Sequence, residues 1–269
     1  MRRCVVIIGM HRSGTSLLAS IVNKLGCSLG RSILPANVYN PLGYFENSSI
    51  MRINDEFLSE HGMAWDNIDN FLALTRASTS SADFIKRIME IITKEFEGED
   101  LFQIKDPRLV LLLPYYIEGL NNLGIESIFL RIVRDPAEVS ESLIARDGFS
   151  RIKALKLIKD YQEINSLNSS NLQMKSIFYP EIFDNPWLVA REIADYCKIS
   201  IAEIQRESIL SLLDRSLQHF KNDTAALLLK YANEAEAKSQ QIALFQQTIE
   251  HLNQAIDNLK QRISYLEDN

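Results

Sequence analysis

The N-terminal stretch CVVIIGMHRSGTSLL, residues 4–18, constrains the fold more than any other part of the chain. Its residues 5–8 are all β-branched, which is typical of a short strand buried on both faces. Residues 9–14 begin and end with glycine and predict a tight turn. Apolar residues then recur at helical spacing until Gly26, a common helix terminator. A strand, a tight loop and a helix in this order aim backbone N–H groups at one point, so the stretch predicts a binding site for phosphate-like anions.

The loop differs from the nucleotide-binding Walker A loop in the position of its cation. Walker A requires G-x-x-x-x-G-K-[ST], whereas residues 9–16 read GMHRSGTS and carry Thr15 at the lysine position. The cation of this loop is Arg12, before the second glycine. A small-molecule kinase of P-loop ancestry is therefore less favoured but stays open. A plain strand–helix turn, whose glycines serve only geometry, also stays open.

Composition limits the classes of protein that the chain can represent. Its 269 residues, 46% of them hydrophobic, are enough for one α/β domain with additional sequence. A net charge of −6 and a pI near 5.4 argue against a nucleic-acid binder. Cys4, Cys27 and Cys197 form no zinc or disulfide pattern, which favours a reducing compartment. We therefore expect a cytoplasmic protein with no membrane span and no metal site.

Strand-like and helix-like segments alternate along the chain after this first unit. Residues 28–49 predict a long loop, and residues 50–61 and 83–96 predict helices. Residues 101–104, 127–133 and 176–179 predict further strands, and Pro107, Pro136 and Pro186 predict the starts of further helices. This alternation predicts the α/β class: a three-layer, P-loop-like parallel sheet flanked by helices.

Three cations fall at the carboxyl ends of three predicted strands. Arg12 lies in the loop after the first strand, and Lys105 and Arg134 follow the strands at 101–104 and 127–133. In a parallel sheet these ends share one edge, where ligands bind. Lys105 and Arg134 each precede an aspartate, so each could belong to a cap or a salt-bridge pair. Three cations beside an anion-binding loop nevertheless predict a polyanionic ligand that is bound at two separated points.

Four motifs together resemble one enzyme family. They are His11-Arg12-Ser13-Gly14-Thr15-Ser16, Lys105-Asp106-Pro107, Arg134 with Ser142 eight positions later, and the stretch FYPEIFDNP at residues 178–186. In this order they are similar to the motifs of bacterial sulfotransferases that use 3′-phosphoadenosine-5′-phosphosulfate (PAPS). Those enzymes are related to the tyrosylprotein and carbohydrate sulfotransferases. The resemblance spans roughly residues 3–220, and it implies an enzyme with PAPS as its sulfuryl donor.

The resemblance implies which residues bind PAPS. Backbone N–H groups of the loop would hold the 5′-phosphosulfate, namely those of Ser13, Gly14, Thr15 and Ser16. Arg134 and Ser142 would hold the 3′-phosphate, because the forked guanidinium suits two phosphate oxygens. Arg12 would lie against the same ligand. The R-K-G motif of the cytosolic members is absent after Asp184, so the contacts to adenine stay unassigned.

The resemblance also implies the reaction. A sulfuryl group would pass in line to an acceptor hydroxyl, on a sugar or a glycolipid, without a metal. Arg12 and Lys105 would neutralise the transferring group and the leaving phosphate. Glu46, in the long loop, is the first candidate for the general base, but it could instead cap the helix predicted near residue 50. His11 and His61 are the other candidates for the base.

The last segment has a different pattern. Apolar residues are spaced alternately three and four positions apart, at Ile242, Phe245, Ile249, Leu252, Ile256, Leu259, Ile263 and Leu266. This heptad seam, with isoleucine at a and mostly leucine at d, favours a parallel dimeric coiled coil over a long helix folded onto the domain. We therefore predict a sulfotransferase domain at residues 1–222 and a coiled-coil tail at 223–269, in a homodimer. A non-catalytic nucleotide-binding module with an oligomerising tail is a further alternative.

Overall fold

A computed structural model describes residues 1–36, 43–74, 78–203 and 205–212. Contacts divide the chain into two units, Met1–Phe220 and Lys221–Asn269, and the fold below is that of the first. The predicted boundary at residue 222 and the coiled-coil tail lie outside the described residues, as do Asn40, Pro41 and Leu42 of the long loop.

The described part of the chain contains one four-stranded sheet. Its strands are β1 (Arg3–Ile8), β2 (Leu101–Lys105), β3 (Glu126–Val133) and β4 (Met174–Phe178). All pairings are parallel, and the spatial order is β2-β1-β3-β4. The predicted parallel sheet is confirmed, and the strand bounds differ from the predicted ones by one or two residues.

Helices connect these strands. Their bounds are α1 (Thr15–Lys24), α2 (Ser48–Glu60), α3 (Phe71–Leu74), α4 (Ser78–Glu95), α5 (Leu109–Asn122), α6 (Pro136–Asp147), α7 (Arg151–Asn168), α8 (Tyr179–Asp184), α9 (Pro186–Tyr196) and α10 (Gln205–Leu210). Pro136 and Pro186 begin helices as predicted. Pro107 does not, because α5 starts only at Leu109.

The long helix α7 was not predicted from the sequence. Its buried residues recur at helical spacing, as in Ala154, Leu157 and Tyr161. However, Ile152 and Leu167 are also apolar and are 82% and 67% exposed, so the apolar pattern has no clear single face. Helix α7 packs on α5 and α6 and completes one layer of the fold.

Alternate residues of β1 face opposite layers of helices. Cys4, Val6 and Ile8 belong to a core with residues of α2, α4, α5 and α7. Val5 and Ile7 belong to a second core with residues of α1, α8 and α9. Both faces of the sheet are therefore buried, which explains the continuous β-branched run and confirms the helices flanking the sheet. Across the described ranges, no helix is both long enough and apolar enough to span a membrane.

Candidate active site

The loop between β1 and α1 is shaped by two glycines at which a side chain would meet close neighbours. A Cβ on Gly9 would lie 2.6 Å from Cγ2 of Ile132. Gly14 has φ +97°, and a Cβ there would overlap the ring of Tyr179. The first N–H groups of any helix lack an intrahelical partner, and the cap of α1, Gly14, has no side chain to bond them. These groups form the positive end of the helix dipole.

On one side of this loop, Lys105 is the centre of a buried cluster. Its Nζ donates to Oγ of Ser16 at 3.1 Å, to the carbonyl of Tyr44 at 3.0 Å and to Oε1 of Glu46 at 2.5 Å. The side chains of Lys105 and Glu46 are only 2% and 7% exposed. We call Lys105, Glu46, Tyr44 and Ser16 the lysine cluster.

On the other side, Arg134 is the centre of a second cluster. Its Nη1 donates to the carbonyl of Arg12 at 3.0 Å, and its Nε donates to Oε2 of Glu138 at 2.9 Å. Its guanidinium carbon lies 4.2 Å from the ring centre of Tyr179. Nε of Arg12 donates to Oγ of Ser142 at 2.7 Å. We call Arg134, Arg12 and Ser142 the arginine cluster.

The strand order explains why the two clusters flank the loop. The loop follows β1, which lies between β2 and β3 in the sheet. Lys105 ends β2 and Arg134 follows β3, so the two cations reach the loop from opposite sides. Arg12 lies with Arg134 and Ser142, and it has no contact with Lys105 among the hydrogen bonds of the described residues.

The aspartates that follow the two cations do not pair with them. Oδ1 of Asp106 accepts from Nη1 of Arg108 at 3.0 Å and from its backbone N–H at 2.8 Å. Oδ1 of Asp135 accepts from the N–H of Ala137 at 2.9 Å and so caps α6. Asp106 thus forms an ion pair with Arg108, and Asp135 caps a helix, which are the structural roles that the sequence allowed. Lys105 and Arg134 are not their partners in these interactions.

Burial and neighbouring cations set the protonation properties of both clusters. Burial raises the pKa of the Glu46 carboxyl, against the opposing effect of Lys105, and Asp106 raises it further. Burial also lowers the pKa of the Arg12 guanidinium, as do the neighbouring charges of Arg146 and Arg134. The first effect makes Glu46 a stronger base, and the second reflects the concentration of positive charge beside the loop.

Two residues of the site adopt backbone conformations that are unfavourable for their type. Arg12 has φ 66° and Phe45, between Tyr44 and Glu46, has φ 55°. Such left-handed conformations cost energy in residues other than glycine and concentrate at binding and catalytic sites. The strained Arg12 belongs to the arginine cluster, and its carbonyl accepts a hydrogen bond from Arg134. The strained Phe45 follows Tyr44 of the lysine cluster, whose carbonyl accepts a hydrogen bond from Lys105.

The structure assigns the helix cap to Asn47 and not to Glu46. Oδ1 of Asn47 accepts from the N–H groups of Ser49 and Ile50 at 3.0 and 3.2 Å. The capping alternative for Glu46 is therefore wrong, and its carboxylate bonds Lys105. The sequence could have indicated this, since asparagine is a better cap than glutamate.

The two histidines have different surroundings. His61 directly follows α2, and Glu46 lies two residues before the helix begins. The length of α2, about 20 Å, therefore separates His61 from Glu46. His11 adjoins the loop, and its ring lies 4.2 Å from that of Trp65. Its Nε2 is buried and has no hydrogen-bond partner among the described residues. Burial and then the charges of Arg108 and Arg146 lower the pKa of His11 well below its usual value, so the ring is neutral.

Glu95, the last residue of α4, anchors the loop that carries Glu46, a role that no sequence pattern indicates. Its carboxylate accepts from the N–H groups of Arg31 and Ser32 at 3.1 and 2.8 Å and from Nδ2 of Asn47 at 2.8 Å. It also accepts from the hydroxyls of Ser32 and Ser49 at 2.8 and 2.9 Å. Only a predicted contact between residues 31–49 and the end of α4 could have revealed this role.

Comparisons with known proteins give only a remote likeness. No protein-family model matches the chain, and no curated protein is significantly similar to it. Solved structures similar to it are sulfotransferases. A sulfotransferase domain from the curacin biosynthetic pathway is 14% identical, with a TM-score of 0.46, over 76% of this chain and 77% of that chain. The sulfotransferase domain of the Synechococcus PCC 7002 olefin synthase is 13% identical, with a TM-score of 0.47, over 84% and 86% of the two chains.

A third similar structure is the sulfotransferase STF9 from Mycobacterium avium. It is 11% identical, with a TM-score of 0.49, over 82% of this chain and 69% of that chain. Because these TM-scores are below 0.5, the likenesses carry no weight in assigning an activity, which rests on the residues of the site. In the part of the chain that the structure describes, no group of three or more His, Cys, Asp or Glu side chains is placed to hold a metal ion.

The anchoring role of Glu95 predicts a pH-dependent contribution to stability. Burial opposes its ionisation, but the hydrogen bonds from Asn47, Ser32 and Ser49 prevail and lower its pKa from 4.5 to about 2. The contribution is therefore fully present above pH 4.5 and is lost as the pH falls towards 2. We expect Glu95→Gln to lower the free energy of unfolding by about 3 kcal/mol at pH 7, and by less at pH 3.

Urea unfolding of both proteins at the two pH values measures this difference. The control is Glu90→Gln on the exposed face of α4, which should leave the free energy of unfolding unchanged. An equal loss of stability at pH 7 and pH 3 would show that the ionised form of Glu95 is not what holds the loop.

Proposed function

We propose that this protein is a sulfotransferase that moves a sulfuryl group from PAPS to an acceptor hydroxyl. The observation that carries the proposal is the placement of the lysine and arginine clusters on opposite sides of one anion-binding loop. An anion-binding loop with cations held on both sides of it suits a nucleotide with two separated anionic groups. The glycine positions support the fit, because Gly9 and Gly14 keep side chains out of the loop.

The loop and the arginine cluster divide the nucleotide between them. The N–H groups of the loop residues Ser13, Gly14, Thr15 and Ser16 bind the 5′-phosphosulfate at the N-terminus of α1. Arg134 and Ser142 bind the 3′-phosphate, and Arg12 joins them because its side chain lies against Ser142. Arg134 is held in place by Glu138 and by the ring of Tyr179, so little side-chain entropy is lost when a phosphate binds.

The lysine cluster carries the chemistry. PAPS supplies the sulfuryl group when it is bound. Glu46 accepts the proton of the acceptor hydroxyl as the oxygen forms its bond to sulfur and the bond from sulfur to the 5′-phosphate oxygen breaks. Lys105 keeps Glu46 ionised beforehand and neutralises negative charge on the leaving phosphate, and Arg12 adds positive charge beside the loop. We propose a sugar or a glycolipid as the acceptor, in keeping with the sequence resemblance.

The role of Arg134 predicts a selective loss of nucleotide affinity. We expect Arg134→Ala to weaken 3′-phosphoadenosine-5′-phosphate (PAP) about 10- to 100-fold, the value of a charged hydrogen-bonded contact, and AMP by less than threefold. Removing Arg134 would also take an ion-pair partner from the buried Glu138. The affinities for PAP and AMP are therefore measured by calorimetric titration in two proteins. One carries Glu138→Gln alone, and the other carries Glu138→Gln together with Arg134→Ala. ATP with magnesium is titrated as well. Equal losses for PAP and AMP would contradict the role of Arg134, and a preference for ATP with magnesium would favour a kinase.

The role of Glu46 predicts a loss of turnover without a loss of nucleotide binding. Glu46→Gln removes the base, so we expect sulfuryl transfer from labelled PAPS to fall at least 100-fold, while the Kd for PAP changes less than threefold. Since burial raises the pKa of Glu46, wild-type turnover should decline with falling pH at values above those of an ordinary carboxylate. The exposed control Glu90→Gln should retain full turnover. A Glu46→Gln protein with unchanged rate and pH profile would place the base elsewhere.

We also propose that the tail at residues 223–269 makes the protein a homodimer through its heptad seam. Ile256→Asp places a charge on the seam, and we expect it to halve the mass measured by sedimentation. Gln254→Asp adds the same charge off the seam and should leave the dimer intact. An unchanged mass for Ile256→Asp, or for a protein ending at residue 224, would exclude the tail as the dimerising element.

A further inference from the structure

A cavity of about 270 Å³ lies behind the loop and is lined by none of the lysine cluster. It is bounded by the carboxyl end of β3, by α6 and α7 and by the start of α5, and it is partly open to solvent. Gly9, Met10 and Ser13 form its wall towards the loop. Helix α7 contributes a polar part of the lining, and α7 provides no residue to either cluster of the proposed active site. Ser13 and Arg134 also line the cavity, so it adjoins the proposed nucleotide site, and its α7 side lies outside both clusters.

Arg131 gives this cavity a positive charge. Its Nε and Nη2 both donate to Oγ of Ser176, at 3.2 and 2.8 Å. It takes part in none of the ion pairs between described residues, and none of the described aspartates and glutamates lines the cavity. Arg134 also lines the cavity, but its guanidinium already bonds Glu138 and the carbonyl of Arg12. A half-buried arginine in a wall without carboxylates favours an anionic occupant.

Asn165 adds a second requirement. Its Oδ1 is buried and has no hydrogen-bond partner among the described residues, and Asn165 lines the cavity from α7. A buried acceptor without a donor is unfavourable, and a ligand that donates an O–H or N–H to it would remove the penalty. The occupant should therefore carry a hydrogen-bond donor as well as a negative charge.

The remaining walls and the volume of the cavity indicate the size of the occupant and its apolar part. Val110, Val139 and Ile158 contribute apolar surface. The volume of about 270 Å³ exceeds the roughly 150 Å³ of a cavity that holds benzene, so there is room for one ring with two substituents. A hydroxyl-bearing aromatic carboxylate has this size, this charge and this donor.

We propose that the cavity is a second binding site, adjoining the nucleotide site, for a small hydroxyl-bearing aromatic carboxylate that Arg131 and Asn165 recognise. The carboxylate lies against the guanidinium of Arg131, and the hydroxyl donates to Oδ1 of Asn165. The occupant contacts the loop at Met10 and Ser13. Because the same loop binds the anion, an occupant of the cavity can change the affinity of the loop for that anion. The proposal does not depend on the reaction that the loop supports.

The probe is 4-hydroxybenzoate, titrated calorimetrically into the full-length protein. Two analogues isolate the two contacts: benzoate lacks the hydroxyl and 4-hydroxybenzyl alcohol lacks the carboxylate. We expect 4-hydroxybenzoate to bind at least tenfold more tightly than either analogue. Failure to bind at millimolar concentrations, or equal affinity for all three compounds, would overturn the proposal.

Two variants test the site itself. Arg131→Gln and Asn165→Leu should each weaken 4-hydroxybenzoate at least tenfold and leave the Kd for PAP within twofold. Asn165→Leu removes an acceptor that has no partner, so the thermal midpoint should not fall. The matched control is Arg151→Gln, an exposed arginine of α7 that pairs with Glu141. A parallel loss of PAP binding in Arg131→Gln would show that the cavity belongs to the nucleotide site, and it would overturn the proposal. Unchanged binding of 4-hydroxybenzoate to both variants would also overturn it.

Discussion

The ion pair between Lys105 and Glu46 connects three parts of the chain that are far apart in sequence. It joins the end of β2 to the long loop before α2, and through Ser16 it reaches the start of α1. Burying two charges is costly unless their other hydrogen-bonding groups also find partners, and here the carbonyl of Tyr44 and the hydroxyl of Ser16 supply them. A buried pair of this kind adds little net stability, so its main effect is to fix the positions of a cation and a carboxylate beside the loop.

Arg134 has a similar effect on the other side of the loop, by different means. Its guanidinium is stacked on Tyr179 and bonded to Glu138, and the same ring occupies the space above Gly14. The ring therefore supports the loop and the cation together. Hydrogen bonds within the protein hold the cations of both clusters in place without a ligand, as the electrostatic stabilisation in the proposed reaction requires.

The sequence predicted the sheet and the placement of the three cations well, for a physical reason. Buried parallel strands leave continuous β-branched runs, and topology forces their carboxyl ends to one edge, so Lys105 and Arg134 could be placed without knowledge of contacts. Other features depend on packing between distant segments. Glu95 binds residues more than forty positions away, and nothing in its neighbourhood in the sequence indicates this. The side of the loop on which Arg12 lies, and the choice of Asn47 over Glu46 as the cap, depend on side-chain geometry that spacing does not determine.

The order β2-β1-β3 also separates two parts of the proposed site, the nucleotide contacts and the base. The proposed nucleotide contacts come from β3 and α6, whereas the proposed base comes from the segment before α2, on the far side of the loop. Glu95 and Lys105 are among the residues that tie this segment to the remainder of the fold. Its surface can therefore diverge in evolution, or be exchanged between related chains, while the donor side remains intact. Selection for a new acceptor and selection for the donor would act on different residues, joined only by one short loop.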